Sequence, residues 1–385
     1  MVLEKRGRTH IIMKENNKTF EEVFSFSNLL KAGNDCQKGV KWKTSVQSYS
    51  ANILVNTYNT QQELLNGTFK YKSKLEFDLY ERGKARHIKS MNIKERVPQK
   101  ALCDNYILEI IEPLLIYDNG ASLKGKGLDF SLDRLKAMLQ KYYRKNGNVG
   151  YALVFDYKNY FGSINHRIAI ELISKYVNDS RILDFIKQSL QIYADVKNEN
   201  GDYVGIGLGS QLSQIFALLM GNPIDHMIKD KYGYKYYIRY MDDGIIIHND
   251  IEKLKEILEL IKIESAKYGL SLNENKTNIV RIDKGFIFLK KKIILNPNGS
   301  ILVKLSKQSI TRERRKLKKL QKKYKNGKMP LEHIENSYKS WRGFALRYNS
   351  YNSVKNMDNL FKELFGYIPP YPKKSKKRSK RNGGK

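Results

Sequence analysis

The sequence predicts an α+β chain, with hairpins and helices sharing one sheet through the middle and helix alone toward the C-terminal end. Two observations carry this. Short apolar strand segments alternate with helical periodicities between residues 75 and 296, and from Ser306 onward the pattern is helical and strongly basic. A third observation bounds the whole: 385 residues, 41% of them hydrophobic, can bury a substantial core and are expected to form several lobes.

The elements follow in order. Residues 1–58 are polar and mixed, with one helix expected over residues 20–32. Residues 75–90 (LEFDLYERGKARHIKS) alternate about Arg82-Gly83, a hairpin signal. Residues 105–115 have helical spacing of Ile and Leu, and the basic glycine-containing loop 123–127 precedes a helix running to about Lys145. A short buried strand is expected over residues 151–156 and an amphipathic helix over 164–177. A glycine-rich loop, 205–209, then feeds a helix over 213–230. Residues 235–240 and 244–248 read as strands closed by a tight turn, 251–268 as a helix and 284–296 as a return to strand. The chain ends in the helical run TRERRKLKKLQKKYKNGK, three prolines (Pro369, Pro370, Pro372) and a Lys/Arg tail over 373–385 that is expected to be disordered.

Charge is the loudest global signal. With 71 Lys+Arg against 39 Asp+Glu the formal charge is +32, which calls for a polyanionic partner, and nucleic acid is the usual one. The 26 tyrosines and 15 phenylalanines suit base stacking as well as core packing. No apolar run is long enough to span a bilayer and no signal-peptide core is evident, so a cytoplasmic protein without membrane partners is expected. Cys36 and Cys103 are too few and too far apart for a disulfide scaffold or a cysteine-rich zinc site, and the six histidines lack metal-ligand spacing.

Asp242 and Asp243 sit at the tip of the apolar hairpin YYIRY-MDD-GIIIH. Alone they read equally well as a solvated Asp-Asp-Gly turn. Asp156, at the end of the strand over residues 151–155, changes that reading. Nucleotidyl transfer needs divalent ions that lower the pKa of an attacking hydroxyl and hold a triphosphate, and hard carboxylate oxygens from two neighbouring strands would cradle them.

In their order these motifs resemble those of the bacterial reverse transcriptases, across roughly residues 80–350. Asp156 with Phe161 five residues on resembles the D-x-x-x-x-[FY] motif, and Tyr240-Met241-Asp242-Asp243 resembles the Y-x-D-D box. The segment from Leu208 and Gly209 through Ser213 and Gln214 resembles the L-G-x-x-x-S-Q form of the enzymes of diversity-generating retroelements and phage-defence systems. The Q-G-x-x-x-S-P of intron and retroviral enzymes differs at both ends. Lys276, in YGLSLNENKT, resembles the lysine that acts near the leaving pyrophosphate. Phe288-Leu289-Lys290 resembles the primer grip, with Lys290 where the customary glycine stands, and Ser340-Trp341-Arg342-Gly343 resembles a closing thumb segment.

The resemblance implies a right-hand polymerase with fingers, an antiparallel-sheet palm and a helical thumb. The expected divisions are an N-terminal extension (1–58), fingers (59–149), palm (150–304), thumb (305–366) and basic tail (367–385). It implies catalysis by Asp156, Asp242 and Asp243, which with Tyr157 would hold two magnesium ions, manganese being a substitute. Nucleotide contacts are implied for Lys84, Arg86, Arg96, Phe161 (a steric gate favouring deoxynucleotides), Leu208, Gly209, Gln214 and Lys276. Template or primer contacts are expected at Tyr240, Met241, Phe288 and Leu289, and on charge grounds at Lys124 and Lys126.

The expected activity is RNA-directed DNA synthesis, with an RNA template, a primer or cDNA and dNTPs as partners, and an accessory protein or second copy left open. A structured non-coding RNA in an antiviral defence system is the favoured template, and mutagenic retrohoming is the alternative. An RNA-directed RNA polymerase and a catalytically idle RNA-binding scaffold are the further rivals.

Overall fold

The computed structural model describes residues 17–71, 74–81, 84–207 and 209–371. Its N-terminal part is more helical than the sequence pattern indicates. Helices α1 (Phe20–Val23), α2 (Phe26–Cys36), α3 (Thr44–Ala51) and α4 (Ile53–Leu65) replace the single expected helix. A capping box between Thr19 and Glu22 starts α1, and the chain breaks again at Phe24 before α2. Phe20 and Phe24 pack against each other and Phe24 against Phe185, at ring separations of 4.6 and 5.1 Å, so aromatic burial anchors this region. Helix α4 hides Thr57, Thr60 and Leu64 and exposes Leu54, Val55 and Tyr58, an inverted pattern that defeats a periodicity reading.

Strands β1 (Lys74–Glu81) and β2 (Lys84–Met91) pair antiparallel, as the alternation about Arg82-Gly83 indicates; those two turn residues lie outside the described residues. Helix α5 (Ile93–Leu102) runs on through a π-turn at Cys103–Ile107 into α6 (Leu108–Ile111), and α7 (Leu128–Asn146) follows the basic loop. Then come β3 (Tyr151–Asp156), α8 (Tyr160–Ser163), α9 (His166–Ser174), α10 (Ser180–Gln191) and a two-residue ribbon, β4 (Val196–Lys197) with β5 (Tyr203–Val204). Helix α11 (Gln211–His226) leads to β6 (Tyr237–Tyr240), β7 (Asp243–His248), α12 (Ile251–Lys267) and β8 (Asn278–Arg281). The expected strand over 284–296 is a hairpin, β9 (Phe286–Phe288) and β10 (Lys291–Leu295), followed by β11 (Ile301–Leu305). Helices α13 (Lys307–Lys325), α14 (Leu331–Ala345) and α15 (Tyr351–Phe365) complete the chain.

The chain divides into two compact units, Met1–Met138 with Leu153–Ile279, and Leu139–Ala152 with Val280–Lys385. The four-stranded sheet has the order β6-β7-β3-β8. Central β7 buries Gly244 through Ile247 without alternation, as a strand covered on both faces must. Helix α11 is likewise buried nearly all round, from Leu212 to Asp225. Gly244 is required by close approach: a Cβ there would lie 2.1 Å from the Phe155 ring.

The second unit pairs its strands in the order β11-β10-β9 and packs three helices around Leu317, Ile334, Tyr338, Met357 and Phe361. Within it the fully buried Arg342 bonds the Asp358 carboxylate and the Pro370 carbonyl, and Tyr371 donates to the same carboxylate at 2.6 Å.

Candidate active site

Strand β3 carries the chain outward and ends on Asp156, while neighbouring β7 begins on Asp243, so the sheet order brings the two carboxylates together. Backbone bonds fix them. The Tyr157 N–H donates to the Asp242 carbonyl at 3.0 Å, and the Asn273 N–H donates to the Asp156 carbonyl at 2.7 Å. The second bond, with Lys158 N–H on the Ser271 carbonyl at 2.8 Å, lays segment 271–276 beside the end of β3. That placement lets the Lys276 ammonium straddle the Asp156 carboxylate, at 2.6 and 2.7 Å from its two oxygens. Asp156 is 7% exposed, so this is a charge-assisted contact at the edge of solvent.

Burial, the negative charges of Asp242 and Asp156, and a hydrogen bond with Asp156 together push Asp243 up to about 8, against the pull of Lys276. The ionised form of Asp243 is therefore disfavoured until a further cation joins the site. Among the described residues no three Asp, Glu, His or Cys side chains stand in a metal-holding arrangement, and Lys276 occupies both oxygens of Asp156. The donor chemistry nevertheless suits a hard divalent cation, since the acidic groups gathered here offer carboxylate oxygens and crowd Asp243 with negative charge.

The turn that presents Asp242 is tight. Tyr240 pairs with Asp243, leaving Met241-Asp242 as a two-residue connection with Met241 at φ 54°, left-handed for a non-glycine residue. Beneath it lies a network that the motif reading missed. Arg239, 1% exposed, binds Asp225 of α11 through Nε and Nη2 at 2.7 Å each, and donates to the carbonyls of Met241 and Leu218 at 3.0 Å. The Tyr237 hydroxyl adds a 2.7 Å bond to Asp225. A Cβ on Gly221 would come within 2.5 Å of Arg239 Cζ, so a glycine makes room for the guanidinium. The available signals were an arginine inside an apolar strand and an aspartate inside an apolar helix, both out of place unless paired.

Tyr157 is buried, its hydroxyl 3.1 Å from Ser265 Oγ, and its ring stacks on Tyr160, whose hydroxyl donates to the Ala217 carbonyl at 2.6 Å. These contacts hold the turn after β3, which passes through Asn159 at φ 46° and sets half-buried Phe161 beside the glycine-rich loop. The Ile206 N–H donates to the Phe161 carbonyl at 3.0 Å. Gly209 stands at φ 100°, and Ser210 caps α11 by accepting from the Ser213 N–H. Gln214 is half-buried on the first turn of α11, and Leu208 lies outside the described residues.

Arg96 is half-buried on α5. Lys84 and Arg86 lie on β2 opposite Glu81 and Leu79, and their side chains lie outside the described residues. Lys124 is exposed, whereas Lys126 donates to the Tyr117 carbonyl at 3.0 Å and lies 5.5 Å from the Tyr117 and Phe130 rings. In the second unit Phe288 is buried, and Leu289-Lys290 form the β9–β10 turn.

A sheet bearing acidic residues at two neighbouring strand ends, flanked by helices, fits a right-hand polymerase fold. The chain belongs to the reverse transcriptase (RNA-dependent DNA polymerase) family, whose model matches residues 72–326. It is similar to Protein YkfC of Escherichia coli (strain K12), at 22% identity over 36% of this chain and 45% of that protein, so it spans less than half of that curated relative. Among solved structures it is similar to an apo telomerase from Candida tropicalis truncated from its C-terminal domain, with TM-score 0.46, 16% identity, and coverage of 60% of this chain and 55% of the other. It is also similar to the telomerase of that organism in complex with a fragment of telomeric RNA, with TM-score 0.44, 16% identity, and coverage of 77% and 53%.

Proposed function

We propose that this protein is an RNA-directed DNA polymerase that makes cDNA on an RNA template. The observation that carries the reading is the convergence of Asp156, Asp242 and Asp243 with Lys276 on one corner of the sheet. Asp156, Asp242 and Asp243, with the Tyr157 backbone, would hold the divalent cations, magnesium in the first instance, that activate a primer 3′-hydroxyl and neutralise a triphosphate. Lys276, bound to the carboxylate that would take a cation, would turn toward the departing pyrophosphate. Phe161, on the turn after β3, would exclude a ribose 2′-hydroxyl. Lys84, Arg86 and Arg96 would grip the triphosphate, and Gly209 and Gln214 would lie against the nascent base pair.

Primer extension on an RNA template tests this. Deoxynucleotide incorporation should require magnesium, stop on chelation and vanish in Asp242→Asn/Asp243→Asn. Incorporation of ribonucleotides alone would make the enzyme an RNA-directed RNA polymerase. A biological activity untouched by the double substitution would make it a scaffold.

The template we infer is a dedicated structured RNA, serving antiviral defence in the cytoplasm. The long basic ends and Lys290 support this over the compact mutagenic enzymes, and the Leu208–Gln214 form of the loop is common to both. Among the described residues no helix is long and apolar enough to cross a membrane. Sequencing the RNA bound to the purified protein and the cDNA it makes, together with the genomic neighbours, separates the two: a variable repeat pair would select mutagenic retrohoming and its absence would select defence.

A further inference from the structure

The loop after α2 reads Gln37-Lys-Gly-Val-Lys-Trp-Lys43, and none of it enters the catalytic reading. Trp42 is 74% exposed, with the Lys43 ammonium 5.5 Å from the centre of its ring. Tryptophan is the side chain whose exposure loses most apolar burial, so an uncovered indole between two lysines calls for a ligand. Beside it in sequence, Lys41 joins Gln37, Val46, Gln47, Ser50 and Ala51 around an open cleft of about 310 Å³. Gln37 is almost wholly buried, its amide nitrogen on the Gly33 carbonyl at 3.3 Å, which anchors the cleft floor.

The geometry points to a binding site for a single-stranded polynucleotide on this N-terminal face, with a base stacked on Trp42 and phosphates on Lys41 and Lys43. The Gln47 amide and the Ser50 hydroxyl supply the donors and acceptors that a base edge needs, and a cleft of this size fits one nucleotide. Charge favours this occupant: Lys41 and Lys43 are exposed, Lys38 is the loop lysine paired with Asp35, and the whole chain carries +32. A second copy or another basic protein would meet that charge as repulsion. The site works by affinity alone and does not depend on the polymerase reading.

The test uses the two-tryptophan composition of the full chain. In a Trp341→Phe, Asp242→Asn, Asp243→Asn background, Trp42 is the sole indole and no synthesis can occur. Titration with an oligouridylate twelve-mer, with an oligothymidylate alongside, should quench Trp42 emission, whereas duplex RNA of equal length should not. Trp42→Ala should weaken binding, read by anisotropy of the labelled oligomer, by roughly fivefold or more. Trp42→Tyr should restore most of it, and Lys41→Gln/Lys43→Gln should flatten the salt dependence. Quenching by both single strands makes the site general, and quenching by uridylate alone makes it an RNA site; both support it. Saturated oligomer binding with unchanged Trp42 emission would overturn the proposal, as would Trp42→Ala binding like the parent. A change in sedimentation instead of affinity would overturn it too, in favour of a protein-docking face.

Discussion

Two hairpins whose turns lie among the described residues, β6–β7 and β9–β10, close on two-residue connections, and both place non-glycine residues in the left-handed region. The β6–β7 turn has Met241 at φ 54°, and the β9–β10 turn has Leu289 at φ 48° and Lys290 at φ 62°. Such turns match the twist of the strands, but each left-handed L-residue costs about 1 kcal/mol, so the surroundings must hold it. The two turns are held differently. Under the first, a fully buried Arg239–Asp225 pair fastens the Met241 carbonyl. At the second, Lys291 lies 4.6 and 4.7 Å from the Phe344 and Tyr348 rings, and the Lys290 carbonyl accepts a 3.3 Å bond from the Ser306 N–H. A charged clamp with directed bonds leaves the turn little freedom, as the proposed role of Asp242 and Asp243 would require. Aromatic packing on a cation is less directional and would suit the contact role proposed for Phe288 and Leu289.

The largest effect should come from cutting the clamp. Arg239→Met leaves Asp225 buried and unpaired and should destabilise the protein by about 3–5 kcal/mol in urea titration. Adding Asp225→Leu should recover most of that stability while primer extension stays depressed, because the Met241 carbonyl still lacks its donor. A fully active double variant would show that the network serves folding alone.

Next comes Gly244→Ala. Its Cβ would meet the Phe155 ring at 2.1 Å, so the buried ring must shift; a loss of about 1–3 kcal/mol is expected, together with reduced incorporation. Lys291→Met, at the other hairpin, should cost about 1–2 kcal/mol by removing the cation from between its two rings. Incorporation of the first nucleotide should change less than in Gly244→Ala. The smallest effect has the opposite sign. Lys290→Gly should raise stability by about 1 kcal/mol, read as a higher Tm, since glycine adopts a positive φ without strain. No gain would mean that contacts of the Lys290 side chain offset its backbone strain.

The α+β class, the hairpin over residues 75–90 and the strands bearing Asp156 and Asp243 were legible in the sequence. Each is written locally, in an alternation or an unbroken apolar run ending on an acid. The N-terminal helices were not, because α4 turns threonines inward and apolar residues outward, and because α1 and α2 are joined by a break with no glycine or proline to mark it. The motifs carried the candidate site residues, but the bonds among them were invisible at that level. Lys276 is separated from Asp156 by 120 positions, and backbone pairing about Tyr157 and Leu272 lays their segments together. Asp225 and Arg239 fall on different elements, and nothing local says that each neutralises the other. Local chemistry is a property of neighbours along the chain, so one strand of text suffices to read an acidic turn. What holds that turn, and which cation answers which carboxylate, are properties of neighbours in space, and those exist once β7 lies beside β3 and the β6 side chains reach α11.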